Sequence, residues 1–580
     1  MKNEHVTPEQ EQQRQVVAVG SFTDSIGSAG WGALEIIAND QHPDERQMYA
    51  AGLAEGYLTH KRIRQLYIND VSLRSEDSLV GLYKYFELQD RYLRGHAKKG
   101  KDYVKDQSMY WHHVTLEMSQ LDGLTDGYNY AAKEKDQLVL GDMWLLNMDG
   151  DVIDLERGIS ADLINIADDA TSGGTEQLDD LLGINLLRGG GGGGGGGPVS
   201  PRQSFLERKT TKKKKKKRSN DDDRNHGYPR YSHENWDRLM RHGRCSALIK
   251  VLPDFSDVFV GHSTWADYSE LLRIWKTYTL PLKNVPSKIV SFSSYAGMIS
   301  STDDWYITDQ ELLITETTTQ VEDEGTLRLI DPRTQVVSWV RTMVANRLAS
   351  SGKEWSVNYV KGNSGTYNCQ WMVLDYKMFE KGTRPNAGFY TMTEIIPGFQ
   401  RSEDMTETLL KRGEKKCHGA EEGAASGGDD SDSCMENHMY WPSVNRPYWP
   451  DVRLRAGYPI ENEMAINNPY FSFESNPRGR VFARDQEHIQ TLHDMMEMMA
   501  YNDPNDSVQE DPGHGIASRY DLPGEIKKSG TLIIIILFFF FLLYSMKHCV
   551  TKQVLIVQLL FFSMYSPIIV YYLFIYFFFF

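Results

Sequence analysis

The chain has 580 residues, 40% of them hydrophobic, and a formal net charge of −16. That length can bury one large core or two ordinary ones, and the acidic balance argues against a nucleic-acid partner. Five cysteines are too few for a disulfide framework and fit no zinc-ligand spacing, although Cys417 and Cys434 are near enough in sequence to pair in an oxidising compartment.

Met1 to Gln15 is polar and mixed in charge, without the apolar segment of a secretory leader, and read literally this predicts a cytosolic protein. Residues 16–155 read as globular. Val16–Phe22 is strand-like, and Arg46–Tyr67 carries Met48, Leu53, Tyr57, Leu58 and Ile63 at helical spacing. Asp102–Tyr130 is a second long helical pattern. Leu138–Gly141 and Met143–Leu146 read as a short strand pair beside Asp149-Gly150.

Residues 156–244 change character, with a run of nine glycines at Gly189–Gly197, a lysine run at Lys212–Lys217 and then Asp221–Asp223. Such a stretch has no apolar surface to offset the entropy of ordering, so it reads as a linker or an excised segment. The basic stretch Arg208–Arg218 belongs to it and lies on no patterned face. The glycines lack the Gly-Lys-Ser/Thr ending of a phosphate loop. Residues 245–525 read as globular and β-rich, with 412–438 as a solvated insertion and Gln486–Met499 as a Met-rich helix packed in a core.

Thr531–Ser545 and Val554–Phe580 are strongly apolar. Two readings share this hydropathy: a membrane hairpin, and non-coding sequence translated through a splice junction. The first run is short for a bilayer and the second contains Gln558 and Pro567, so the gene-model reading of 531–580 is favoured.

The chemistry concentrates at Gly243-Arg244-Cys245-Ser246-Ala247-Leu248. Cys245–Leu252 reads as a strand, Asp254–Asp257 as its turn, and Val258–Trp265 as the returning strand. A hairpin pivoting near residue 255 brings His262–Trp265 level with Cys245. Helical spacing then resumes at Tyr268, Leu271, Leu272 and Trp275. Taken alone, a Cys/His pair is more often a buried thiol and a satisfied sheet histidine than a catalytic couple.

Gly243–Lys250, Gly261–Trp265, Phe292–Tyr295, Asp303–Tyr306, Glu316–Thr318, Val344–Ala349, Asn363–Asn368, Gln370–Met372, Asp375–Lys377, Asn476–Arg478 and Tyr501–Asp503, with Ala51–Thr59 upstream, resemble the phospholipase B-like (lamina-ancestor) family in order and spacing. The resemblance covers about 16–150 and 240–520. It implies an α+β fold, the four-layer αββα sandwich of N-terminal nucleophile hydrolases built from antiparallel sheets.

It further implies self-cleavage between Arg244 and Cys245, after which the freed α-amine serves as the base for the Cys245 thiol. Asn445 takes the oxyanion role, Arg478 holds the charged groups around the site, Thr318 hydrogen-bonds within the pocket, and His262 and Trp265 line it. Without the resemblance, Arg478 reads equally as a surface ion pair, Asn445 as a turn residue before Pro447, and Thr318 as part of a threonine ladder.

The implied substrate is a phospholipid or another acylated lipid taken from a membrane surface. No metal or organic cofactor is implied, and the chain's own cleaved N-terminal fragment is the protein partner. An amidase acting on N-acyl lipids or short peptides stays open, as does a catalytically idle lysosomal lipid-binding protein. The implied location is lysosomal or secreted, and Asn505-Asp506-Ser507 offers one glycosylation acceptor. Cys369 stands where the family usually has Asn, and the resemblance ends after Ala517–Leu522.

Overall fold

The computed structural model describes residues 16–72, 74–98, 105–158, 244–266, 271–412, 438–458, 471–503, 505–509 and 512–518, together with three short backbone segments beyond 534. The expected linker at 156–244 and the insertion at 412–438, with Cys417 and Cys434, lie almost wholly outside the described residues.

After two strands, three long helices follow: α1 (Asp44–Ser72), α2 (Glu76–Lys98) and α3 (Lys105–Ala131). Helix α1 starts directly after Pro43 with Asp44 and Glu45 in its first turn, where the helix dipole favours negative charge. Helices α1 and α3 meet backbone to backbone. A Cβ on Gly52 would sit 2.0 Å from the Gln120 carbonyl oxygen, and one on Gly123 2.0 Å from that of Tyr49. Leu53 and Tyr57 consequently do not face the core as their spacing suggests; they are 39% and 49% exposed.

The segment expected to be a strand pair, 138–146, instead runs into one short helix, α4 (Leu140–Asn147), and a second, α5 (Asp149–Gly158), follows it. Met143, Trp144, Leu145 and Leu146 are all essentially buried, so no polar face marks the helical period. The local determinant is Asp142, whose carboxylate accepts from the Val139 N–H at 2.9 Å at the helix start.

Two sheets follow. The first has nine strands in the order β1 (Ala18–Ser25), β2 (Trp31–Ala38), β5 (Arg273–Thr279), β6 (Ile289–Tyr295), β7 (Trp305–Thr308), β8 (Leu312–Thr318), β9 (Cys369–Asp375), β10 (Tyr390–Ile396) and β11 (Phe399–Asp404). Only β2 and β5 run parallel; the other neighbours are antiparallel. Strand β5 replaces the helix expected around 271–275: Ile274 and Tyr278 are buried at period-compatible positions for either structure, and the pairing with β2 and β6 decides for strand.

The second sheet is antiparallel, with β12 (Tyr440–Ser443), β3 (Arg244–Val251) and β4 (Val258–Trp265) followed by the backbone of β13 (Ile535–Phe539), β14 (Ile556–Leu560) and β15 (Tyr572–Tyr576). Strand β13 pairs with β4, Leu537 opposite His262. Among the described residues, no helix is long and apolar enough to cross a membrane.

Alternation along β3 and β4 sets the layers. Ala247, Ile249, Val251, Val258 and Val260 join the main core between the sheets. Leu248, Leu252 and Phe259 face a second core with α8 (Pro477–Asp485) and α9 (Leu492–Met499), including Val481, Phe482, Met495 and Met499. The Met-rich segment thus packs in a core as expected, although its α-helix begins only at Leu492, after a short turn at Gln486–His488. On the far face of the first sheet lie α1, α3 and two central helices, α6 (Ser338–Leu348) and α7 (Gly352–Tyr359), with Trp355 of α7 against Trp371 of β9 at 5.0 Å. The result is the α+β arrangement of helices, sheet, sheet and helices.

Candidate active site

The site forms where β3 begins. The β3–β4 hairpin pairs Arg244 with Trp265, Cys245 with Thr264 and Ala247 with His262, the register that a pivot near 255 requires. On the other side, β12 pairs with β3 only up to Ser443 opposite Ala247. Two residues further, Asn445 turns into the left-handed region at φ 63°, which Asn tolerates better than most side chains. The ladder therefore opens beside Cys245, and its carbonyl needs another donor.

Arg478, on the first turn of α8, supplies it. Its Nη1 donates to the Cys245 carbonyl at 2.6 Å and to Ser246 Oγ at 3.0 Å. Its Nη2 donates to the Val444 carbonyl at 2.8 Å and to Asn445 Oδ1 at 2.9 Å. The guanidinium lies 4.5 Å from the centre of the Trp265 ring, whose Nε1 donates to the Ile516 carbonyl. Asn445 Nδ2 donates to the Thr318 carbonyl at 2.8 Å. Arg478 is therefore a buried clamp rather than a surface ion pair, and Asn445 both makes the turn and joins β12 to β8.

A polar network between the sheets holds that turn. Ser443 Oγ donates to Gln370 Oε1 at 2.6 Å and contacts Thr317 Oγ1 at 2.7 Å. Gln370 Nε2 donates to Glu394, whose carboxyl also accepts from the Tyr448 and Trp449 N–H groups just past Asn445. Burial raises the Glu394 carboxyl to about 7.

Cys245 is 2% exposed. Burial pushes its thiol well above the usual range, and the charges of Asp304 and Glu316 push it further; the Thr318 N–H and Arg478 act the other way. His262 is wholly buried and drawn down to about 4 by desolvation, so it is neutral at ordinary pH. Its Nε2 lies 2.9 Å from the Glu316 carbonyl, which can only accept, so Nε2 carries the proton. Nδ1 then accepts from Thr264 Oγ1 at 3.2 Å. Cys245, His262 and Asp304 each present a ligand-type atom within 4.8 Å of the others. Both imidazole nitrogens are already engaged by the protein, which disfavours a metal there.

The six residues singled out from sequence, Cys245, His262, Trp265, Thr318, Asn445 and Arg478, thus meet at one place. Sequence reasoning gave no role to three neighbours. Asp304, at φ 54°, accepts from Tyr367 Oη with both carboxylate oxygens at 2.7 Å. Glu316 sits opposite it, because the β7–β8 register pairs Trp305 with Thr315. The same pivot arithmetic that worked for β3–β4 applies to this hairpin and is the signal that finds them. Cys369, buried on the neighbouring strand, donates its S–H to the Tyr367 carbonyl at 2.7 Å.

A family model described as Phospholipase B matches residues 18–181, 203–414 and 424–534. The chain is 29% identical over 519 residues to phospholipase B-like protein C of Dictyostelium discoideum, covering 87% of this chain and 75% of that one. It is 29% identical to human phospholipase B-like 1 over 87% of this chain and 75% of that one. A phospholipase B of Crotalus adamanteus is 28% identical, with 87% and 76% covered.

Proposed function

Because this chain belongs to the phospholipase B family, we propose that it is an acyl hydrolase that removes fatty-acyl chains from phospholipids through Cys245, after self-cleavage at Arg244–Cys245. The observation that carries this reading is the opening of the ladder at the head of β3, where Arg478 grips the Cys245 carbonyl with one nitrogen and Asn445 Oδ1 with the other.

Cleavage frees the Cys245 α-amine, a group that titrates near ~7.7–8.0, next to a thiol whose unperturbed value is ~8.5. The amine takes the thiol proton without needing a second residue to position it. The Sγ then attacks the acyl carbonyl, and water hydrolyses the resulting thioester. Asn445 Nδ2 uses one hydrogen on the Thr318 carbonyl and has a second to offer the developing oxyanion. One such donor contributes ~3–4 kcal/mol. Arg478 holds the strand end in place, Trp265 supports the guanidinium, and neutral His262 fills the wall beside the thiol.

The relatives' names point to lipid substrates, met at a membrane surface, and a lysosomal or secreted setting is part of the same proposal. The test is fatty-acid release from phosphatidylcholine vesicles by the cleaved protein, with N-acyl amides as a parallel substrate and Cys245→Ala as control. Release from phosphatidylcholine that disappears in Cys245→Ala supports the reading. Release from amides alone makes it an amidase, and release from neither leaves a lipid-binding role.

A further inference from the structure

Before cleavage the nitrogen of Cys245 is an amide and has no basicity, so the thiol needs a different proton acceptor for the first cut. From the geometry around Cys245 we propose that Asp304 is that acceptor, held ionised by Glu316 and Tyr367, and that these residues therefore govern self-cleavage. This inference rests on the reading of Cys245 as a self-processing nucleophile.

The candidates for the acceptor are few. The two imidazole nitrogens of His262 are committed, Nε2–H to the Glu316 carbonyl and Nδ1 to the Thr264 hydroxyl. Arg478 is a cation, and the Tyr367 hydroxyl already donates to Asp304. The Asp304 carboxylate lies within 4.8 Å of Cys245 Sγ, a gap that one water or a small side-chain rotation closes. Its backbone is held in the left-handed region at φ 54°, a conformation that a non-glycine residue keeps only where its surroundings enforce it.

The surroundings are unusual in sign. Asp304, Glu316 and Cys369 are buried acidic groups and Tyr367 is a partly buried one, with Asp303 and Asp149 adding negative charge at longer range. Neither Glu316 oxygen has a close hydrogen-bond partner, so two ionised carboxylates facing each other there would be strongly repelled. Burial and Asp304 push Glu316 well above the usual carboxyl range, so it keeps its proton. Burial raises Asp304 to about 7, while the protonated Glu316 carboxyl facing it and the bond from Tyr367 hold it down relative to its partner. One proton is shared by the pair, and Asp304 is the half that accepts.

The step balances. The Cys245 thiol proton passes to Asp304, and Sγ attacks the Arg244 carbonyl carbon. The C–N bond breaks as Asp304 returns the proton to the departing nitrogen, leaving the Arg244 acyl group as a thioester on Sγ. Water hydrolyses that thioester to the Arg244 carboxylate and a free Cys245 with its α-amine.

The experiment follows cleavage of the full-length chain by gel and N-terminal sequencing, across pH 4.5 to 8.5, in wild type, Cys245→Ala, Asp304→Asn and Tyr367→Phe. The expected result is cleavage in wild type that accelerates as pH rises, about 100-fold or greater slowing in Asp304→Asn, and a midpoint moved to higher pH in Tyr367→Phe. The last shift has this sign because removing the Tyr367 donor makes ionised Asp304 less favourable. A merely structural Tyr367 would change the rate without moving the midpoint. Asp304→Asn cleaving at the wild-type rate, or Tyr367→Phe leaving the midpoint in place, overturns the role of Asp304. A wild-type chain that never cleaves overturns instead the reading on which it rests. Where Asp304→Asn does not fold, the Tyr367→Phe midpoint alone decides.

Discussion

Two fully buried clusters of ionisable groups, one on the first sheet and one between the two sheets, are built on opposite rules. On the helix side of β5, Lys276 Nζ meets Glu55 at 2.6 Å with both side chains 0% exposed, and the Tyr278 hydroxyl donates to the same carboxylate. Arg347 and Glu117 repeat the pattern at 3.0 Å between α6 and α3. In these places each charge has its opposite. At the head of β3 and the end of β8, Asp304, Glu316 and two thiols crowd together with like sign, and the nearest cation, Arg478, is spent on carbonyls and Asn445. Matched charges pin helices to a sheet; unmatched acids hold a proton where a nucleophile can use it.

That contrast is open to direct attack. The largest effect is expected for Cys245→Ala, which leaves the chain whole and removes all hydrolytic activity, while the thermal unfolding temperature stays close to that of the uncut protein. Activity surviving in this variant would remove the site from Cys245 altogether.

Next is Glu55→Ala in the matched cluster. It strands Lys276 in the core without its partner and destabilises the fold by ~3–5 kcal/mol. Chemical denaturation of the uncut protein measures it, and a loss under ~1 kcal/mol would show that the ion pair does not pin α1 as described.

Asn445→Ala comes third. It is expected to lower kcat by about 100- to 1000-fold with little change in KM, as for an oxyanion donor. An equal rise in KM with kcat intact would recast Asn445 as a residue that only shapes the turn.

The smallest effect is the pH dependence of stability. Burial raises Asp151 and Asp304 to about 7, and Asp154 and Asp303 to about 6. Each folded-state value exceeds the unfolded one, so the folded chain binds more protons. The stability these four carboxyls contribute is therefore greatest below pH ~4 and falls as pH rises toward 7, while His262, drawn down to about 4, works the other way below about 6.5. Melts of the uncut Cys245→Ala protein at pH 5 and pH 8 are expected to differ by at least a few degrees, with pH 5 higher. A flat or reversed trend would mean that these carboxyls are better solvated than their burial implies.

What the sequence revealed and what it hid have the same physical origin. The β3–β4 hairpin was legible because a tight turn fixes register, and register fixes which residues face each other. Asp304 and Glu316 are joined by the same device across β7–β8, yet a lone acidic residue in each strand carries no pattern that stands out from a solvated face. The misread elements are those where periodicity has no polar face to contrast with. Met143–Leu146 is buried on every side, and Leu271 to Trp275 satisfies helical spacing while the neighbouring strands make it β5. Arg478 and Asn445 lie more than 190 residues beyond Cys245 in sequence, and only the family resemblance linked them to it. Their convergence depends on α8 and β12 both packing against β3.

The most direct test of Cys245 as a self-exposed nucleophile is N-terminal sequencing of the purified full-length protein after incubation at pH 5 and at pH 7. The prediction is two polypeptides, the C-terminal one beginning Cys245-Ser246-Ala247-Leu248. A single uncut chain under both conditions, or a fragment beginning anywhere but Cys245, would contradict it.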